Sequence, residues 1–131
     1  MPDPLIRFRI DFDPGCFIGP GKIDLLEAIE QTGTLSGAAR ALGMSYRRGW
    51  LLLESINSSF RTPASVATTG GKGGGGVTLT SFGRRLVSSY RRLEGVVGKA
   101  AQRELRSITA EVRTGAPVAR VRRRPLAQAP E

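Results

Sequence analysis

Two sets of residues in this chain have the types and spacing to do chemistry. The first is a pair of carboxylates, Asp11 and Asp13. Carboxylates two apart on a strand share a face and can serve acid–base or metal chemistry. Here they alternate with Ile6, Phe8, Ile10 and Phe12, so a solvated strand face is the expected reading. No serine or lysine stands at motif spacing from a base. Cys16 is the sole cysteine and histidine is absent, which excludes an internal disulfide, a cysteine-rich zinc site and imidazole catalysis. No enzyme and no cofactor is expected. The second set is cationic: Arg47 and Arg48, then Lys72 inside the run Gly70 to Gly76, then Arg120 to Arg124. Cations on a glycine-rich tip and at the start of a helix suit phosphate and base-edge recognition.

The glycine run must be tested as a nucleotide cradle. Gly71, Gly73 and Gly76 fit G-x-G-x-x-G, but any glycine run does. A strand pattern follows it where a helix is required. The Walker spacing also fails, with Val66 in place of the first glycine and Gly73 where Ser or Thr should follow the lysine. The better layout is two short strands, Ala64 to Thr69 and Val77 to Thr80, joined by a charged tip.

Charge placement supports a polyanionic partner. Of 131 residues, 1–60 carry six Lys/Arg and seven Asp/Glu, whereas 61–131 carry fourteen and four. The net charge is +9, and 17 of the 20 cations are Arg. Arg favours bidentate phosphate and guanine contacts, and duplex nucleic acid is the expected partner. No apolar run reaches the ~20 residues of a membrane span. The N-terminus lacks signal-peptide order, so the chain reads as cytoplasmic, with no membrane partner.

The elements that would position these cations follow from periodicity. Residues 5–13 alternate as a half-buried strand, ended by Pro14 and Gly15, and residues 17–21 read as a loop. A first helix is expected over 22–32, stopped by Gly33. A short helix over 37–42 has Ser36 as its cap, and Gly43 makes the turn. Ser45 caps a helix over 46–59, with Tyr46, Gly49, Trp50, Leu53, Ile56 and Phe60 as its apolar stripe. Core packing is the expectation for Trp50; for Tyr46, in the exposed first turn, core and base stacking stand level. Pro63 breaks the chain before the hairpin. Thr80 caps a long helix over 81–108, along which Phe82, Leu86, Tyr90, Leu93, Val97, Ala101, Leu105 and Ile108 recur at helical steps. At ~1.5 Å per residue this helix is roughly 42 Å long, against a domain diameter nearer ~30 Å. The excess stripe needs a partner, and a second copy is the simplest one. Gly95 and Gly98 each cost about 1 kcal/mol there, which close helix approach would offset. After about Thr109 the composition turns to Pro and Arg, as in a disordered basic tail.

At this point a family resemblance is legible. The segment Gly19 to Trp50, above all Ser45-Tyr46-Arg47-Arg48-Gly49-Trp50, resembles the N-terminal domain of the ModE molybdate-responsive regulators. Asn57, the Gly70–Gly76 tip and Leu79 to Gly83 resemble it too, over about residues 5–108 altogether. The resemblance implies a winged helix related to LysR-type DNA-binding domains, working as a homodimer. The fold class is then mainly α with a small β wing and a long C-terminal dimerisation helix. It implies Ser45, Tyr46, Arg47 and Arg48 in the major groove, with Ser36 added to the contact set. Gly71, Lys72, Gly73, Gly74 and Gly75 would form the wing. The dimer interface would use Phe82, Leu86, Tyr90, Leu93, Val97, Ala101 and Leu105.

Two departures stand out. Gly49 replaces the family's usual Ala, a change worth about 1 kcal/mol in a helix. The molybdate-binding β-barrel modules of full-length ModE have no counterpart in these residues, so direct molybdate binding is not expected. The expected organisation is a winged helix-turn-helix over 1–108 and a basic tail over 109–131. Two rival readings stay open: a sequence-tolerant architectural DNA binder, and an interaction module for a metal-homeostasis partner.

Overall fold

The element order is β1 (Ile10–Asp13), β2 (Cys16–Ile18), α1 (Pro20–Thr32), α2 (Leu35–Ala41), α3 (Tyr46–Ser59), β3 (Ser65–Thr68), β4 (Gly76–Leu79), α4 (Ser81–Glu104) and α5 (Arg106–Thr109). The computed structural model describes residues 4–69, 75–113 and 115. Two compact units divide the chain, Arg7–Arg91 and a second formed by residues 1–6 with 92–131.

In the first unit three helices surround one apolar centre. α1 starts with Pro20 in its first turn, where a missing N–H costs nothing. It ends at Gly33, whose φ of 79° is the left-handed conformation that glycine adopts without penalty. Leu25, Leu26 and Ile29 of α1 pack with Ala38 of α2, with Leu52, Leu53 and Ile56 of α3, and with Leu79 of β4. A second small cluster joins Ile18, Ile23 and Tyr90, flanked by Phe8 and Ile10. Tyr90 is 1% exposed, and its hydroxyl donates to the Phe8 carbonyl at 2.7 Å. This polar handle satisfies the only group that burial of the ring would orphan.

Several expectations change. The N-terminal strand is shorter than 5–13, and it pairs antiparallel with β2, in a stretch expected to be loop. Alternation of exposure holds from Leu5 to Ile10 and fails at Phe12, which is 55% exposed. The register slips between Asp11 and Asp13. Such a bulge turns the intervening side chain off the expected face, and Phe12 meets Phe60 edge-on at 6.0 Å instead. Ser36 is not the cap of α2. The Thr34 hydroxyl accepts from the Gly37 N–H at 2.9 Å, so the helix begins earlier, at Leu35. The long helix is not continuous to 108, since it breaks at Leu105 before α5. Its start is as expected: Thr80 Oγ1 accepts from the Gly83 N–H at 3.0 Å.

α1 and α4 are clamped by one guanidinium. Arg91 donates to both Glu27 carboxylate oxygens, at 2.7 and 3.0 Å, and to Asp24 Oδ1 at 2.7 Å. The Arg91 hydrogen bonds hold the Glu27 carboxyl below its usual pKa, outweighing the opposing effect of burial.

In the second unit, no described residue from Arg92 onward is fully buried. Val96, Ile108 and Val112 are 66%, 60% and 51% exposed.

Candidate nucleic-acid interface

α2, a tight turn and α3 form a helix-turn-helix. Gly43 makes the turn with φ of 68°, and its N–H is held by the Arg40 carbonyl. The Ser45 hydroxyl then accepts from the Arg48 N–H at 3.1 Å, starting α3. Gly49 is buried where the two helices meet. A Cβ there would lie 3.3 Å from Ala39 Cβ and 3.5 Å from Leu35 Cδ1. The glycine that costs helix propensity thus permits close approach of α2.

The buried face of α3 consists of Gly49, Leu52, Leu53 and Ile56. Ser45, Tyr46, Arg47 and Arg48 are all exposed at its N-terminal end, and Ser36 is exposed in the first turn of α2. Trp50 is a correction. Expected in the core, it is 46% exposed, because the buried stripe is centred on Leu52 and Leu53 rather than on Tyr46 and Trp50. A three-and-four pattern admits both stripes, and only packing against α1 and α2 selects one.

Next to α3 lies the antiparallel hairpin β3–β4, with Ser65 opposite Leu79 and Thr68 opposite Gly76. Of the tip residues, Gly75 is exposed. Gly71, Lys72, Gly73 and Gly74 lie outside the described residues, as does Arg120 to Arg124.

The hairpin root is fixed from three sides. Asn57 of α3 accepts from the Ala64 and Ser65 N–H groups at 2.9 and 3.1 Å, and donates to Ser65 Oγ at 3.0 Å. The Val77 N–H donates to the Gly33 carbonyl at the end of α1, at 2.9 Å. Finally, the Thr80 N–H donates to the Ala64 carbonyl at 2.9 Å, against which Gly83 of α4 packs directly. From sequence, Asn57 is marked only by the family resemblance. No periodicity marks an amide whose partners are seven and eight residues away.

Sequence comparison agrees with this geometry. Molybdenum transport protein ModE of Azotobacter vinelandii is 40% identical over 90 residues, 69% of this chain and 33% of that protein. Molybdenum-pterin-binding protein MopB of Rhodobacter capsulatus is 39% identical over 85 residues, 65% and 32% of the two chains. Transcriptional regulator ModE of Haemophilus influenzae is 36% identical over 94 residues, 72% and 37%. The fold is similar to the CbnR DNA-binding domain solved in complex with DNA, with a TM-score of 0.52 at 16% identity over 67% of this chain and 95% of that one. It is also similar to VV2_1132, a LysR family transcriptional regulator, with a TM-score of 0.51 at 15% identity over 70% and 30%. The chain carries a ModE-like winged-helix DNA-binding domain. It spans about one third of the length of the ModE relatives it matches, and no family model matches it.

Within this ModE-like domain the stripe expected to pair two copies divides in two. Phe82 and Leu86 are half-buried against their own core, and Tyr90 is buried there. Further along, Leu93 and Leu105 are 38% and 40% exposed, while Val97 and Ala101 are half-buried. Asp11 accepts from Arg9 Nε at 2.9 Å on an exposed surface, as expected of a solvated strand face. Among the described residues no His, Cys, Asp and Glu cluster could hold a metal ion, and no helix is long and apolar enough to cross a membrane.

Proposed function

We propose that this chain is a cytoplasmic, homodimeric transcriptional regulator of the ModE type, acting on genes of molybdenum transport or of molybdoenzymes. In this reading α3 enters the major groove. Tyr46, Arg47 and Arg48 contact bases and phosphates, and the hairpin tip, with Lys72, reaches the flanking backbone. Exposure of Arg47 and Arg48 at the capped N-terminus of α3, beside a hairpin bonded to the same helix by Asn57, is the observation that carries it. That helix end presents a positive dipole to an anion. The names of the relatives supply the molybdenum connection. Direct molybdate binding forms no part of this reading, and the match covers about one third of those proteins. The exposed side chains of Leu93, Val96, Leu105 and Ile108 favour pairing of two copies through α4 and α5. Residues 1–108 then act as the DNA-binding unit and 109–131 as an electrostatic tail.

Selection of bound duplexes from a random library tests this. Two symmetric half-sites should emerge, spaced about one helical turn, ~34 Å, or a multiple of it. The operator should be preferred over random duplex by at least ~10³. Arg47→Ala with Arg48→Ala should abolish that preference while the protein stays folded. If promoter occupancy survives the double change, α3 is not the recognition helix. If no sequence is enriched, the architectural reading replaces this one.

A further inference from the structure

α3 carries apolar surface that folding does not use. Tyr46, Trp50 and Leu51 are 56%, 46% and 45% exposed, while the core takes Gly49, Leu52, Leu53 and Ile56 from the same helix. Trp50 follows Tyr46 by one helical turn, and Leu51 follows Arg47 by one turn, so the apolar groups interleave with the cations. The mixture matches the major groove, where guanidinium groups meet phosphates and guanine edges. The one apolar group on the base edges there is the C5-methyl of thymine.

We propose that Trp50, with Leu51 beside it, packs on thymine C5-methyl groups in the major groove, making Trp50 a specificity-determining residue. This rests on the assignment of α3 to DNA made above. Trp50 lies three residues beyond Arg47, about 4.5 Å along the helix. A base-pair step is about 3.4 Å, so the thymine lies within about two base pairs of the site that Arg47 contacts.

The test uses the operator recovered by library selection. Each dT is replaced in turn by dU, which keeps every hydrogen-bonding group and lacks only the methyl. Wild-type protein should lose about fourfold in affinity at one or more positions per half-site, the equivalent of burying one methyl-sized group. In Trp50→Ala the dT-to-dU ratio at that position should fall to about one. Trp50→Gln, suited to an exposed helical site, gives the same readout if the alanine variant does not fold. Because Trp50 is the sole tryptophan, its fluorescence in the unaltered protein gives a second readout. Protection from acrylamide quenching should be greater on the dT operator than on the dU duplex. The inference is overturned if an operator is recovered but every dU replacement is tolerated, or if Trp50→Ala keeps the wild-type ratio. Failure to recover any operator instead removes the sequence-specific reading of α3, and this inference falls with it.

Discussion

Replacing Gly83 with alanine should destabilise the fold even though alanine is the better helix former. Gly83 lies in the first turn of α4 and is buried. A Cβ there would overlap the Ala64 carbonyl oxygen and sit 3.0 Å from its carbonyl carbon. These are backbone atoms, so no side-chain rotation relieves the overlap. Overpacking of this kind costs about 1–3 kcal/mol. Moving Ala64 also strains the 2.9 Å hydrogen bond from the Thr80 N–H to its carbonyl, worth about 1 kcal/mol. Against this, Gly→Ala in a helix gains about 1 kcal/mol. The net expectation is a loss of about 1–3 kcal/mol, a fall in Tm on the order of 5–10 °C. Gly95→Ala is the control: its Cβ meets nothing within 4 Å, so the monomeric fold should gain up to ~1 kcal/mol. Urea melts of both variants measure the difference. If Gly83→Ala matches Gly95→Ala, the close approach of α4 to the hairpin root is not a structural constraint and the reasoning fails.

Asn57→Ala should cost about 2–4 kcal/mol in urea melts, because two N–H groups on the buried residues Ala64 and Ser65 lose their acceptor. Asn57→Asp, which keeps the acceptor, should recover most of that loss; equal losses would place the effect outside these bonds. The Glu27 interaction predicts a pH dependence of definite sign. Its pKa is lowered in the folded state, so its contribution is present above the ordinary carboxylate range and disappears as pH falls through the folded value. Because Glu27 and Arg91 are partly exposed, the effect should stay below about 1 kcal/mol. Comparing urea midpoints of wild type and Glu27→Gln from neutral to acid pH should show the two converging. A gap that stays constant with pH would rule out the charge as its source.

Much of this architecture is legible in the residue order, and the exceptions have physical causes. Gly33, Gly43, Ser45 and Thr80 act locally, within three or four residues of what they terminate or cap, so a linear reading locates them. The same reading misplaces the cap of α2 by two residues, because Thr34 and Ser36 offer equivalent hydroxyls and only the helix start separates them. Phe12 fails because a bulge breaks the period of two at one residue, which alternation cannot reveal. Trp50 fails for a different reason. The expected stripe holds at Gly49, Leu53 and Ile56, but the buried face extends to Leu52 and leaves Trp50 46% exposed, and only packing decides which edge of the stripe is covered. Within the interface, Arg47 and Arg48 are visible as cations after a cap. Asn57 is not, since its value lies in partners on another element.

The hairpin root explains how a small domain can hold α3 and the hairpin, the two elements proposed to contact DNA, in fixed relation. Ala64 is shared by three constraints: its N–H is bonded to Asn57 of α3, its carbonyl accepts from Thr80, and Gly83 of α4 packs on that carbonyl. A fourth comes from Val77, tied to the end of α1. The root therefore cannot tilt without breaking a hydrogen bond or opening the core. Two contact surfaces held in register need less ordering on binding, and preorganisation of this kind raises affinity without adding a contact. It also explains the tolerance for glycine here. Gly49 and Gly83 each give up helix propensity, and each lies where a Cβ would push apart elements that flank the interface. The sequence gives up local helix stability at these two positions, and in return α2, α3, α4 and the hairpin are packed closely enough to keep the exposed face of α3 in a fixed orientation.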